Sequence, residues 1–459
     1  MIYLLPSFFP LLASVFCISK NDKISEFSSV FASLASIAAS IYIIFMKPAV
    51  SWLLYIDGFS KIMLVVISII YLTTILFSTT YIKHVSKPLL SKSSYYLFLN
   101  LFVLSMLLSV SLNNLGFIWV GIEATTITSA LLVAIDNDEA SLESSWRYII
   151  IVSTGLIMSL IGVMLIYASM HTLNISKLLN TSPLDNKLFA IGAALTIAGF
   201  STKAGIFPMH TWLPDVHGRS IAPVSAIFSS VLLPTALFGV YRVIEISSFM
   251  NGIKMFSFIL GFSTVAFASI FLITQKFYKR MFAYSSMENM GMILMGLAID
   301  TKYALLGAVI LIVSHAFAKS SAFYTTGNIL SLYKTRNVND IKGLINTIPF
   351  GAYSFVLSSL AVTGAPPFGT FLGEMLILYA VFVKFGLVLS LLILLFLAVA
   401  FFSLNYKVSK MSFSTNGDSS KRKDEVMGSF VPILNTTLAF LTIFAAGIIN
   451  NLLNTGVIK

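Results

Sequence analysis

The sequence predicts an all-α integral membrane protein of about fourteen transmembrane helices, and three observations carry that prediction. Of 459 residues, 57% are hydrophobic and only 10% are charged, with a mean hydropathy of +0.92, against about 25% charged residues in soluble globular chains. Apolar runs near the length of about 20 residues needed to cross hydrocarbon recur from one end of the chain to the other. The charged or Pro/Gly-rich breaks between them are short. A soluble fold is excluded, and residues 1–459 read as one transmembrane domain.

In order, the runs are 2–18, 27–46, 61–82, 94–112, 114–135, 147–169, 188–207, 220–242, 254–274, 283–299, 303–333, 349–383, 385–405 and 428–451. The first has no basic leader and no small-residue cleavage site before the charged stretch Lys20 to Glu26, so it reads as a retained helix and not a signal peptide. The polar run Lys407 to Glu425 reads as a flexible cytoplasmic loop. An even number of spans puts both ends on one side. One set of alternate loops holds eighteen Lys and Arg, and the other set, with the C-terminus, holds nine, counting Arg242 at the outer end of its run. Because cytoplasmic loops carry the basic excess, both termini are expected on the outer face of the cell membrane. The net charge of +11 is spread among these loops as topology requires, so no nucleic-acid partner is inferred. The single cysteine, Cys17, excludes a Cys-ligated iron–sulfur cluster or a Cys-rich zinc site. No cofactor is expected in this chain, and any electron transfer belongs to a partner.

Ionisable residues inside the spans start the functional argument. Each costs about 2.5–3.5 kcal/mol near a helix centre, so each one retained needs a partner, a hydrated cavity or a role. Glu123, Lys203, Lys319 and Glu374 are such residues. Glu123 lies mid-span, with Thr126 and Thr128 near enough along the chain to hydrogen-bond it. Lys203 ends the stretch Gly199-Phe-Ser-Thr-Lys203. A buried lysine releases its proton readily and holds it when a carboxylate is close, so facing Glu123 and Lys203 would form a switch. His315 and Lys319 are four residues apart and share a helix face, and an imidazole with a near-neutral pKa suits a relay.

Two spans run into proline breaks. Pro208 and Pro214 follow Lys203, while Pro366 and Pro367 precede Glu374. Such residues remove backbone donors and interrupt a helix, which at membrane depth is tolerated where protein or a hydrated cavity satisfies the freed groups. The two breaks echo each other, Pro208-x-x-Thr211-Trp212-Leu213-x-Asp215 against Pro367-x-x-Thr370-Phe371-Leu372-x-Glu374, 159 residues apart. Broken helices at corresponding places in two halves are the sequence sign of a repeat-built transporter.

Other groups read more plainly. His210, His217 and Asp215 cluster at the membrane edge and suit a mouth; their spacing fits no HExxH zinc pattern, and no metal is expected. Glu288 and Lys279 flank a helix start, where a carboxylate favours the dipole. Arg147 begins a span and snorkels to the interface.

The motifs Lys203-Ala-Gly, Pro208-Met-His-Thr-Trp-Leu-Pro-Asp-Val-His217, Ala222-Pro-Val-Ser-Ala226, Lys279-Arg-Met-Phe-Ala-Tyr-Ser-Ser286, His315-Ala-Phe-Ala-Lys319 and Gly364-Ala-Pro-Pro-Phe368 resemble the antiporter-like membrane subunits of respiratory complex I, Mrp-type antiporters and energy-converting hydrogenases. Ile122-Glu-Ala-Thr-Thr126, Leu142-Glu-Ser-Ser-Trp-Arg-Tyr148 and Tyr284-Ser-Ser-Met-Glu-Asn-Met-Gly291 look most like hydrogenase-4 component F.

The resemblance implies two inverted five-helix repeats, about 94–242 and about 254–405, with flanking helices at both ends. It also implies a coupling pair of Glu123 and Lys203, and a lateral proton path continuing through Lys319, His315 and Glu374. Its implied partners are other membrane subunits and a peripheral redox arm, with protons or Na+ as the carried ion. Two departures stand out. Relatives often carry a lysine in the helix after the Trp-Leu-Pro-Asp motif, whereas here nothing basic lies between Arg219 and Arg242, and Pro234 sits mid-span. Hydroxyls such as Ser229, Ser230 and Thr235 would have to bridge that stretch. The acidic residue that relatives often place before Lys279-Arg280 is Phe277 here. The expected function is a proton-translocating subunit of a redox-driven complex of hydrogenase or NADH/quinone oxidoreductase type. The alternatives are a Na+/H+ antiporter subunit without redox chemistry, and an assembly scaffold whose charges only fix packing.

Overall fold

The computed structural model describes residues 2–85, 88–183, 185–414 and 426–455, and it is nearly all helical. The chain opens with α1 (Leu5–Cys17) and α2 (Asp22–Ile44). A short hairpin follows, β1 (Ala49–Val50) pairing antiparallel with β2 (Tyr55–Ile56), and then α3 (Gly58–Tyr81). Helix starts follow local chemistry: the side chains of Asn21 and Asp57 accept the free N–H groups at the starts of α2 and α3.

Two similar halves come next. The first comprises α4 (Lys92–Ser109), α5 (Leu115–Val133), α6 (Glu139–Met170), α7 (Ile175–Leu178), α8 (Asn186–Lys203), α9 (Trp212–Arg219), α10 (Ala222–Ile227) and α11 (Leu233–Ile246), with a π-helical turn, Phe228–Leu232, joining the last two. The second comprises α12 (Asn251–Thr274), α13 (Tyr278–Ile299), α14 (Lys302–Tyr333), α15 (Leu344–Thr347), α16 (Pro349–Val362), α17 (Gly369–Phe385) and α18 (Leu387–Phe413), and α19 (Val426–Asn454) closes the described chain. Helices α6 and α14 are each 32 residues long.

The α8/α9 and α16/α17 breaks match in detail. Gly205 (φ +72°) and Gly364 (φ +69°) are 159 residues apart and hold the left-handed backbone that turns the chain out of each helix. Each break also contains a cis peptide, Phe207–Pro208 and Pro366–Pro367. Five of the predicted runs, 94–112 to 220–242, lie between the start of the first half and the start of the second.

Helix α14 and the segment Ala222–Ile246 are buried nearly all round, while α18 presents most of its surface outward. Every predicted run contains a helix. Among the described residues, nine helices are long and apolar enough to cross a membrane by length and composition. Helices α4, α8, α13 and α17 and the shorter α1 and α16 fall outside that set, so this measure leaves the count of fourteen crossings open. The reason lies partly in what they carry: Lys203 ends α8, and α13 holds Ser285, Ser286, Glu288 and Asn289.

Three local readings change. Arg147 sits inside α6, whose start is set earlier by an Asp138–Ser141 capping box, and it bonds Glu143 and Asp215. Lys407 lies within α18 and donates to the carbonyls of Leu272 and Ile273, while residues 415–425 of that polar run lie outside the described residues. Arg242, expected in an outer loop, is fully buried in α11, where it bonds Asp57 (2.7 Å), Glu245 (2.8 Å) and Ser60 (3.0 Å) and lies over the ring of Tyr55. That triad fixes the end of α11 against the start of α3.

Close approach of backbones sets the positions of the functional helices. A Cβ on Gly199 would fall 2.4 Å from the Gly155 carbonyl, so α6 and α8 meet through small residues; Gly307 and Gly373 do the same for α14 and α17, each 2.8 Å from the other's carbonyl. Gly199→Val is expected to lower stability by about 1–3 kcal/mol through overpacking, measured as earlier loss of monodisperse protein on heating in detergent. Arg242→Met, which leaves Asp57 and Glu245 without their buried cation, is expected to cost about 3–5 kcal/mol in the same measurement.

Candidate functional site

The first cluster forms where α8 ends. Lys203 is fully buried, and its Nζ donates to Thr126 Oγ1 (2.8 Å) and to Tyr148 OH (2.5 Å); the Tyr148 hydroxyl in turn meets Ser129 Oγ (2.8 Å). Thr126 and Ser129 come from α5 and Tyr148 from α6, and the small-residue seam between α6 and α8 lets them reach the lysine. Glu123 lies one turn before Thr126. It is half-buried and lies nearer the edge of the bundle than its sequence surroundings suggest; Ser153 Oγ donates to its Oε1 (3.3 Å), and its buried Oε2 has no hydrogen-bond partner. Among the described residues no salt bridge joins Glu123 to Lys203, yet the carboxylate lies within electrostatic reach of the ammonium. The expected threonine partners are therefore reassigned: Thr126 serves Lys203, and Thr128 bonds the carbonyl of Ala124 (2.8 Å).

The second cluster gathers α13, α14 and the second break. Lys319 Nζ donates to the Phe282 carbonyl (2.8 Å) and to Ser285 Oγ (2.7 Å). Glu288 lies within electrostatic reach of Lys319 on one side and Glu374 on the other. Asn289 Nδ2 holds Glu288 Oε2 (3.3 Å) and the Val362 carbonyl (3.1 Å), tying α13 to the end of α16 at the break. Glu374 lies directly over Gly364, where an added Cβ would fall 2.0 Å from its Oε2. Only glycine allows the carboxyl group to seat on the turn of the break.

Between the clusters stands the stretch without a lysine. There the helix is π-wound, Phe228–Leu232, an irregularity that often marks functional sites. Ser229 Oγ meets Ser286 Oγ (2.7 Å), and Ser286 Oγ donates to Phe282 O (2.9 Å), the carbonyl that also accepts from Lys319. His315 Nε2 lies 3.2 Å from the Ser229 carbonyl, and its buried Nδ1 has no hydrogen-bond partner. Phe228 packs 5.8 Å from the ring of Tyr148, so one residue separates the Lys203 cluster from Ser229. Of the hydroxyls expected to bridge this stretch, Ser229 reaches across. Ser230 and Thr235 bond carbonyls of their own helix.

The residues read as a cluster at the membrane edge are separated. Asp215 is on the wall of a polar vestibule of about 770 Å³, also lined by Asp136, Arg147, Lys279, Arg280 and Arg336. It bonds Arg147 (3.3 Å) and lies 3.4 Å from Arg280. His210 stays at the first break, its Nδ1 3.2 Å from the Pro208 carbonyl. His217 is fully buried, stacked on Phe323 at 4.8 Å. Among the described residues no group of three or more His, Cys, Asp or Glu is placed to hold a metal ion.

Sequence reasoning missed Glu288, Tyr148 and Arg242. Glu288 is ten residues into α13 and not at its start. The polar character of the Lys279 to Glu288 stretch hid that depth; its i+3 and i−3 spacing from Ser285 and Gly291 along one helix was the available signal. Nothing along the chain pairs Tyr148 with a lysine 55 residues away.

The comparisons agree with this architecture. Hydrogenase-4 component F homolog of Methylacidiphilum infernorum (isolate V4) is 30% identical over 447 residues, covering 93% of this chain and 91% of the relative. A Na(+)/H(+) antiporter subunit of Alkalihalophilus pseudofirmus (strain ATCC BAA-2126 / JCM 17055 / OF4) is 25% identical, covering 83% of this chain and 80% of the relative. Among solved structures, a chain of the membrane-bound sulfane sulfur reductase, an archaeal respiratory membrane complex, superposes with a TM-score of 0.89 at 22% identity, over 99% of this chain and 96% of that one. The model of the NADH:quinone oxidoreductase/Mrp antiporter transmembrane family matches residues 112–403, and with broken helices, buried lysines and a relative alike over nearly its whole length, the chain belongs to that family.

Proposed function

We propose that this chain is a proton-translocating membrane subunit of a redox-driven complex of the hydrogenase or NADH/quinone oxidoreductase type, coupling electron transfer in partner subunits to ion movement. The observation that carries the reading is the series of ionisable groups held at membrane depth: Glu123 beside Lys203, then His315 and Lys319, then Glu288 and Glu374. Ion-path residues in a bilayer are costly unless used, and hydrogen-bonded hydroxyls fill the gaps between them. The series runs across two units, about 94–242 and about 254–405, with one proline break in each.

In this reading Lys203 carries the switching charge. With Glu123 ionised nearby its ammonium is held; when that charge is neutralised or moves away, the proton is released. It passes by the Ser229–Ser286 hydroxyl pair at the π turn toward Lys319, and from there by Glu288 to Glu374. Partner subunits and a peripheral redox arm hold the metals and the electron donors and acceptors. The cytoplasmic face is the one with the Arg/Lys-rich vestibule, and both termini lie on the outer face of the cell membrane. The 25% identity to a Na(+)/H(+) antiporter subunit supports a second reading, cation–proton exchange without redox chemistry.

Inside-out vesicles carrying the complex provide the test, with proton uptake followed by quenching of an acridine dye during turnover. Lys203→Ala and Glu123→Gln are each expected to lower uptake at least tenfold while the complex still assembles on native gels. Unchanged uptake would leave the charges with a packing role only. Ser229→Ala is expected to lower uptake several-fold without affecting assembly, since Ser286 would lose its hydroxyl partner; uptake equal to wild type would remove the hydroxyl pair from the path.

A further inference from the structure

His217 is the buried ionisable group that the series above leaves unused. It has no exposed surface, and neither ring nitrogen has a hydrogen-bond partner. A buried imidazole without partners is costly, and packing alone would be served better by a phenyl ring: its neighbours Phe323 (4.8 Å) and Phe228 (6.4 Å) are aromatic.

Its position is what gives it a use. Helix α9 is a single wall between the polar vestibule and the protein core. Pro214, Asp215, Gly218 and Arg219 line the vestibule, while Leu213, Val216 and His217 are buried behind them. At the end of that wall Lys279, which also lines the vestibule, donates its Nζ to the Ser220 carbonyl (2.8 Å). Asp136 lies in the same vestibule within electrostatic reach of Lys279, and burial pushes its carboxyl above the usual range against the pull of Lys279 and Arg336. On the core side, His217 lies within electrostatic reach of both Lys279 and Lys319. A carboxyl group, an amine and an imidazole thus lead from the vestibule to the middle of the buried series.

We infer that His217 is the intake relay of this chain, receiving protons from the vestibule by way of Asp136 and Lys279 and delivering them to Lys319. A proton taken up by the Asp136 carboxylate passes to the neutral Lys279 amine, and the resulting ammonium gives one to a His217 ring nitrogen. The imidazolium then gives its proton to the neutral Lys319 amine through a bridging water; Asp136, Lys279 and His217 are back in their starting forms, and Lys319 holds the proton as an ammonium. This inference rests on the proton-path reading of Lys319.

Two measurements on the purified complex in liposomes test it. His217→Phe keeps the aromatic stack on Phe323 and removes both nitrogens. Under a valinomycin-imposed potassium diffusion potential, with trapped pyranine as reporter, proton uptake in H217F is expected to fall to the level left by K319A. The second measurement does not depend on flux. Cys17 is the only cysteine, so in a C17S background H217C is expected to react with methanethiosulfonate ethylammonium added from the vestibule side, and more slowly when Asp136→Leu makes the vestibule wall apolar. Flux in H217F equal to wild type, or an H217C thiol that stays unreactive, overturns the inference. A wild type that carries no protons defeats the functional reading instead, and the labelling at position 217 still decides whether the vestibule reaches it.

Discussion

A charged side chain in the interior of a membrane protein must be surrounded by oxygen or by an opposite charge, and most of this fold serves that requirement. Lys203 is met by two hydroxyls, Lys319 by a carbonyl and a hydroxyl, and Arg242 by two carboxylates and a serine. Each set is drawn from helices that approach closely, and the approach depends on glycines such as Gly155 and Gly199. Hydroxyl partners cost less to bury than a full counter-ion and leave the lysine free to change its charge. Arg242, by contrast, is locked between Asp57 and Glu245 and acts as a fixed pin.

The two breaks illustrate how one backbone device can serve different ends. Gly205 and Gly364 turn the chain in the same way, and the Thr-aromatic-Leu-x-acid segment follows each. At the first break the glycine is covered by Leu213, and the acid, Asp215, faces the vestibule, paired with arginines. At the second, the acid, Glu374, folds back over the glycine itself. The same spacing thus puts one carboxyl group at a mouth and the other at the inner end of the series.

Much of this was legible along the chain. The apolar runs located the helices, and Lys203, Lys319 and Glu374 stood out because charge is rare in such runs. The 159-residue echo located both breaks. What could not be read was the rotation of each helix about its axis, because partners 34 to 77 residues apart meet only once the bundle is packed. The sequence puts Glu288 at a helix start, Arg242 in a loop and His217 at an edge, whereas all three are buried, since polar neighbours in sequence lie at different depths in the fold. Glu123 shows the opposite: it lies mid-span in a small-residue, apolar context, yet its side chain is only half-buried.

The proposed path is built from groups that exchange protons: the buried amines of Lys203 and Lys319, with His315 and the carboxyl groups of Glu123, Glu288 and Glu374 within reach of them. The direct measurement is the pH gradient formed by the complex in proteoliposomes supplied with its electron donor, in the presence and in the absence of Na+. Proton translocation predicts a gradient of similar size without Na+, abolished by a protonophore. A gradient that forms only when Na+ is supplied, or none with active electron transfer, would contradict it.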